Sequence, residues 1–236
     1  MKRNVLLGLA LLSASSLFAA TNEEIIKHFK KQIPLPNITI KVTSRVEVSK
    51  GLDYVSVLIS DGKGSQEVSI FTEGDYIFPD VIDIKKGYSL KEKIEKSKIN
   101  KQISKIYQKE NPDNIITIGN DPKKETMVIF SDPECPFCKK ELDNIENVLK
   151  KYNLKIIFTP VHEKSSLEKS ALIYKYTKNL KDDKKKIEVL KKYFSQEADE
   201  KVSDKDVSKI EELRQKYFDA GVNGTPYKVM EKELLK

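Results

Sequence analysis

Cys135 and Cys138, in the run Phe130-Ser131-Asp132-Pro133-Glu134-Cys135-Pro136-Phe137-Cys138, are the residues of this chain best suited to chemistry. They are its only 2 cysteines in 236 residues. Two cysteines placed at random in such a chain fall at this spacing roughly once in a hundred times, so the spacing calls for a reason. A redox-active dithiol supplies one. The first thiol attacks a substrate disulfide, and the second is close enough to resolve the mixed disulfide.

The beginning of the chain gives the compartment. Lys2 and Arg3 form a positive start, and an apolar stretch from Val5 runs to Phe18-Ala19-Ala20 before Thr21-Asn22-Glu23-Glu24. This reads as a secretory signal, residues 1–20, too short for a membrane span. No later stretch reaches spanning length. An exported chain with two cysteines is not a disulfide-stapled scaffold, and about 215 residues can bury an ordinary core. The formal net charge of +7 falls by two when Lys2 and Arg3 are removed. The lysines alternate with Glu and Asp along the chain, which describes a solvated surface. Nucleic-acid or anionic-membrane binding calls for a clustering that is absent from the sequence.

Two kinds of element pattern frame the dithiol. Asn22 to Gln32 reads as an amphipathic helix with Ile25, Ile26 and Phe29 on one face. Ile33-Pro34-Leu35-Pro36 breaks it. Short β-rich runs follow at Ile38–Val42, Tyr54–Ile59, Val68–Thr72 and Tyr76–Phe78, with turns at Asp61-Gly62-Lys63-Gly64 and Glu73-Gly74-Asp75. This helix-plus-sheet unit, residues 21–88, has a thin core alone, so pairing with a second copy is expected. A charged, weakly amphipathic helix over 89–111 reads as a connecting arm, or else as a cap on one domain, and Asn111-Pro112 stops it.

From residue 112 to 236 the order becomes strand (Ile115–Ile118), strand (Thr126–Phe130), dithiol, helix through Leu142, Ile145, Val148 and Leu149, then strand (Leu154–Thr159). That is an α/β order. Helices at Ser165–Leu180, Lys184–Phe194 and Asp204–Ala220 form an insertion over about 164–220. The loop Gly221-Val222-Asn223-Gly224-Thr225-Pro226 and a strand at Tyr227–Met230 complete it. Cys135 is thus expected where a strand ends and a helix begins, with Pro136 suited to the first turn. Unpaired N–H groups and the helix dipole favour a thiolate there. Cys138, one turn inside, is expected to be buried and protonated. Cys135 therefore attacks and Cys138 resolves.

The segment Phe130 to Cys138 resembles the active-site segment of the periplasmic DsbC/DsbG disulfide isomerases of the thioredoxin superfamily, and Gly221 to Pro226 resembles their loop with a Thr–cis-Pro pair. The resemblance covers the whole mature chain. It implies an α+β, cystatin-like N-terminal dimerisation domain, a linker helix, and an α/β thioredoxin-fold domain with a helical insertion and a shortened C-terminal strand and helix. It makes Cys135 and Cys138 catalytic, and places Thr225, Pro226, Pro136 and Phe137 at the substrate. Spacing alone would make Thr225-Pro226 trans, since about 5–6% of such bonds are cis; the resemblance implies cis. The exposed backbone of Thr225 would then pair with an extended substrate.

Three positions depart from the family pattern. Pro136-Phe137 holds no histidine, which removes the cationic help of strongly oxidising relatives. Ile129 stands where thioredoxin-type reductases carry a buried acid, and reads as core. Only Tyr227 to Lys236 follow Pro226, so the last strand is expected to be an unpaired edge beside an uncovered apolar patch. Zinc would need His28 and His162 to join the cysteines from different domains, so no metal or other cofactor is expected. His162 reads as a surface residue, Glu134 as solvated, and Tyr174, Tyr176 and Tyr193 as packing.

The expected function is a periplasmic, homodimeric thiol–disulfide oxidoreductase that isomerises or reduces wrong disulfides in exported proteins and is kept reduced by a membrane partner resembling DsbD. Two rivals stand beside it: a dimeric oxidase recharged by a DsbB-like membrane protein, and a chaperone that binds unfolded clients.

Overall fold

The computed structural model describes residues 20–196 and 198–236. The expected signal segment, Ala20 apart, lies outside them. The chain divides between residues 94 and 95 into two compact units.

In the first unit, helix α1 (Asn22–Gln32) starts on a reciprocal cap. Glu24 N donates to Thr21 Oγ1 (3.3 Å), and Thr21 N donates to Glu24 Oε2 (2.7 Å). Glu23 and Glu24 in the first turn and Lys30 and Lys31 in the last complement the dipole. Strands β1 (Thr39–Ser49), β2 (Leu52–Ser60), β3 (Ser65–Glu73) and β4 (Tyr76–Phe78) form an antiparallel sheet in chain order. Ile25 packs with Ile40, Val55, Val57 and Ile70. Alternation puts Tyr54 on the opposite face of β2 from Val55. Tyr54 is buried there edge-to-face with Phe71, at 5.2 Å between centroids. A short pair, β5 (Ile82–Asp83) and β6 (Tyr88–Ser89), had no separate signal in the sequence.

Helix α2 (Leu90–Tyr107) crosses the division between the units. Its residues Asn100, Ile103, Ser104 and Tyr107 are buried, at the spacing of one helical face. Ile103 and Tyr107 share a cluster with Val128, Phe130, Tyr217 and Leu234. The second half of this helix is therefore core of the second unit.

That unit is built on β7 (Ile116–Ile118), β8 (Glu125–Ser131), β9 (Tyr152–Phe158) and β10 (Tyr227–Met230), in the order β10-β8-β9-β7. β8 and β9 run parallel, and the outer strands pair antiparallel. Both sheet faces are buried, as a parallel pair requires. Ile129, Leu154 and Ile156 join one cluster with Leu142, Ile145 and Leu190. Val128, Phe130 and Ile157 join the other. The crossover from β8 to β9 is α3 (Pro136–Asp143) and α4 (Ile145–Leu149), not the single helix expected. Asn144 divides them, and its side-chain oxygen accepts from Asn147 Nδ2 at 2.8 Å. Helices α5 (Lys164–Thr177), α6 (Asp183–Ser195) and α7 (Asp204–Asp219) follow.

The expectation at the C-terminal end needs correction. β10 lies at the end of the sheet, but the apolar surface beside it is covered. A short α8 (Glu231–Leu234) buries Leu234 completely. Its carbonyl accepts from Ser104 Oγ (2.7 Å) and Gln108 Nε2 (3.0 Å) on and just beyond α2, while Asn100 Nδ2 donates to Glu233 Oε2 (2.9 Å).

Candidate functional site

β8 ends at Ser131, and Asp132-Pro133-Glu134 turns the chain into α3. Cys135 is the residue before that helix, with extended backbone (φ −75°, ψ 119°), and Pro136 opens its first turn. Proline suits that place because its missing N–H has no helical partner to lose. Cys138 lies one turn in. Both thiols are free and buried, at 5% and 2% exposure.

The second motif reaches the first in space. Gly221, at φ 101°, turns the chain after α7, where a Cβ would stand 3.0 Å from Ile99 Cγ1; close packing and positive φ together call for glycine. The Thr225–Pro226 bond is cis. The Cys135 thiol donates to the Thr225 carbonyl at 3.2 Å, across 90 positions of sequence. Pro136 is exposed, and Phe137 stands 65% exposed beside it with Lys140 Nζ 5.5 Å from its ring centre. Pro226 is partly exposed.

The electrostatics separate the two sulfurs. Burial pushes the Cys138 thiol up to about 11. The Ser131 and Thr225 hydroxyls and the Asp132 amide work against that shift, and the neighbouring Cys135 adds to it. Cys138 is thus a thiol at neutral pH, as its place in the sequence implied. Ile129 packs as core in the same cluster as both cysteines.

Three residues near the dithiol, Asp132, Glu134 and His162, carry more than the sequence revealed. Asp132 is fully buried. Its carboxylate accepts from Ser166 Oγ, from His162 Nδ1 (2.6 Å), and from the amides of Glu134 (2.8 Å), Val161 (2.8 Å) and His162 (3.2 Å). Burial would raise this carboxyl, but the bonds from Ser166, His162 and the amides outweigh it and hold it below its usual value. His162 is on the surface, with 42% of its side chain exposed, yet its ring is fixed on Asp132. Glu134 is not simply solvated: it pairs with the buried Lys169 at 3.0 Å and accepts from Ser165 Oγ at 3.0 Å. The turn into Cys135 is thus fastened to the start of α5. Ser165, Ser166 and Lys169 lie on one helical face, but nothing in the sequence ties that face to residues some thirty positions earlier. Among the described residues, no group of three or more His, Cys, Asp or Glu side chains converges as a metal site would require.

The model of the thioredoxin-like domain family matches residues 112–233. Helicobacter pylori DsbG has a similar fold, with a TM-score of 0.50 and 20% identity, covering 88% of this chain and 99% of that one. The thiol-disulfide exchange protein alpha-DsbA2 from Wolbachia pipientis aligns at a TM-score of 0.39 and 20% identity, over 58% of this chain and 87% of that one. The catalytic domain of Proteus mirabilis ScsC aligns at 0.39 and 17% identity, over 57% and 99%. No curated protein sequence matches.

Proposed function

Because this chain belongs to the family of thioredoxin-like domains, we propose that it is a thiol–disulfide oxidoreductase that reduces and isomerises wrong disulfides in exported proteins. One observation carries the reading: two free thiols at a helix start, the first held against the carbonyl of Thr225 and the second raised by burial.

The chemistry follows from that asymmetry. Once deprotonated, the Cys135 sulfur at the helix start attacks a client disulfide and expels one client thiolate. The client's backbone lies along Thr225, and its side chains meet Pro136, Phe137 and Pro226. The mixed disulfide then has two fates. A client thiol attacks it, which leaves a rearranged client and a reduced enzyme. Alternatively, Cys138 attacks Cys135, which leaves a reduced client and an oxidised pair that a membrane reductase resembling DsbD reduces again. The reaction needs no metal or cofactor. Its place is the periplasm, reached through the signal at residues 1–20; among the described residues no helix is long and apolar enough to cross a membrane.

The first unit is the dimerisation domain in this reading. Its main cluster holds five fully buried apolar residues, while Val46, Tyr76, Ile82 and Ile84 are exposed on the same unit. Refolding of scrambled ribonuclease tests the function: the protein should restore activity, and Cys135→Ser should abolish this. Efficient oxidation of reduced ribonuclease without rearrangement of scrambled bonds would favour the oxidase instead. Light scattering at twice the monomer mass tests the dimer.

A further inference from the structure

Resolving a mixed disulfide requires the Cys138 proton to leave, and burial holds that thiol at about 11. Ile129 on the strand beneath offers no acceptor. A cavity of about 30 Å³ lies against Cys138, walled mainly by aliphatic and aromatic side chains. Its only other polar side chains are Ser131 and Glu141. A water molecule needs about 10–15 Å³ of such space and two to four polar partners; the cavity has the space, and Cys138, Ser131 and Glu141 are the polar residues that line it.

Glu141 follows Cys138 by one turn of α3, so the two side chains share a helical face. It also walls an outer cavity of about 220 Å³ with Lys228, Asn144 and Tyr152. Lys228 Nζ stands 2.8 Å from Glu141 Oε1, on the β10 residue that pairs with Ile129. Both side chains are more than a third exposed. Glu141 therefore touches the interior cavity on one side and solvent on the other. The other groups facing the Cys138 sulfur are Cys135, the Ser131 and Thr225 hydroxyls and the Asp132 amide. The Asp132 carboxylate is engaged with Ser166 and His162.

We propose that Glu141 accepts the Cys138 proton through one water in the inner cavity and releases it through the outer one. This rests on the thiol–disulfide reading above. The step balances: the Cys138 thiol and the Glu141 carboxylate become thiolate and carboxylic acid. The thiolate then bonds to Cys135, the bond between Cys135 and the client breaks, and the client leaves as a thiolate. Glu141 passes its proton to solvent. Glu141 acts through water and does not touch the reacting sulfurs.

Glu141→Gln in the full chain tests this, since it keeps the shape and removes the acceptor. With a mixed disulfide formed at Cys135, resolution should slow about a hundredfold at pH 7, the lower end of what a placed general base contributes. The deficit should shrink as pH rises and hydroxide replaces the acceptor. Alkylation of Cys135 and formation of the mixed disulfide should keep their rates, and Glu141→Asp should restore part of the resolution. A second reading needs no disulfide exchange: in Cys135→Ala, the alkylation midpoint of Cys138 should fall on adding Glu141→Gln, because a nearby negative charge has gone. Wild-type resolution rates in Glu141→Gln, or an unmoved Cys138 midpoint, would overturn the proposal. A wild-type protein that forms no mixed disulfide would refute the functional reading instead, and the midpoint would still judge Glu141.

Discussion

The segment leading into Cys135 is held by charges and hydrogen bonds, whereas the segment beyond Cys138 is held by aliphatic contact. Asp132 and Glu134 fasten the first to Ser166, His162, Ser165 and Lys169. Leu142 and Ile145 pack the second against Ile129, Leu154 and Ile156. The difference shows how one helix start gives two sulfurs different surroundings. Directional bonds fix the backbone at Cys135, and burial among mainly apolar side chains keeps Cys138 protonated.

The two cysteines give the largest effect. Cys135→Ala should remove insulin-reducing activity altogether, while Cys138→Ala should accumulate mixed disulfides visible on non-reducing gels. Matching phenotypes would erase the distinction between the two segments. Next, Asp132→Ala removes the one acceptor of five hydrogen bonds and should cost about 4 kcal/mol in urea unfolding, because several part-buried or buried donors lose their partner. Its pH dependence has a definite sign. The folded carboxyl lies below its unfolded value, so Asp132 stabilises the protein above the unfolded value. That contribution is lost as pH falls through the folded one. Wild type should therefore lose stability from about pH 4 downward, more steeply than Asp132→Ala.

Lys169→Met should cost about 2 kcal/mol, between the ranges for exposed and fully buried pairs, and should speed amide exchange at Glu134. Exchange that stays slow would show that Asp132 alone holds the turn. On the apolar side, Ile129→Val should cost about 1 kcal/mol by thermal unfolding and leave reductase activity intact, because it removes a methyl group and no polar partner.

Most strands and helices were legible because their apolar residues recur at one period, as in Thr126–Phe130 and Asp204–Ala220. The approach of Thr225 to Cys135 was legible only through resemblance, since no local rule joins residues 225 and 135. Other features depend on partners distant in sequence. Glu134 looks solvated until Lys169 is beside it, and the surface beside the last strand looks uncovered until Ser104 and Gln108 bind the Leu234 carbonyl. The helix break at Asn144 was hidden because the apolar pattern continues through it.

The hydrogen bond from the Cys135 thiol to the Thr225 carbonyl spans 90 positions. A ribosome builds a chain from its amino end, so both thiols exist long before the loop that lies against one of them. In the interval, each newborn molecule carries its pair of cysteines without the Thr225 carbonyl that one of them later bonds.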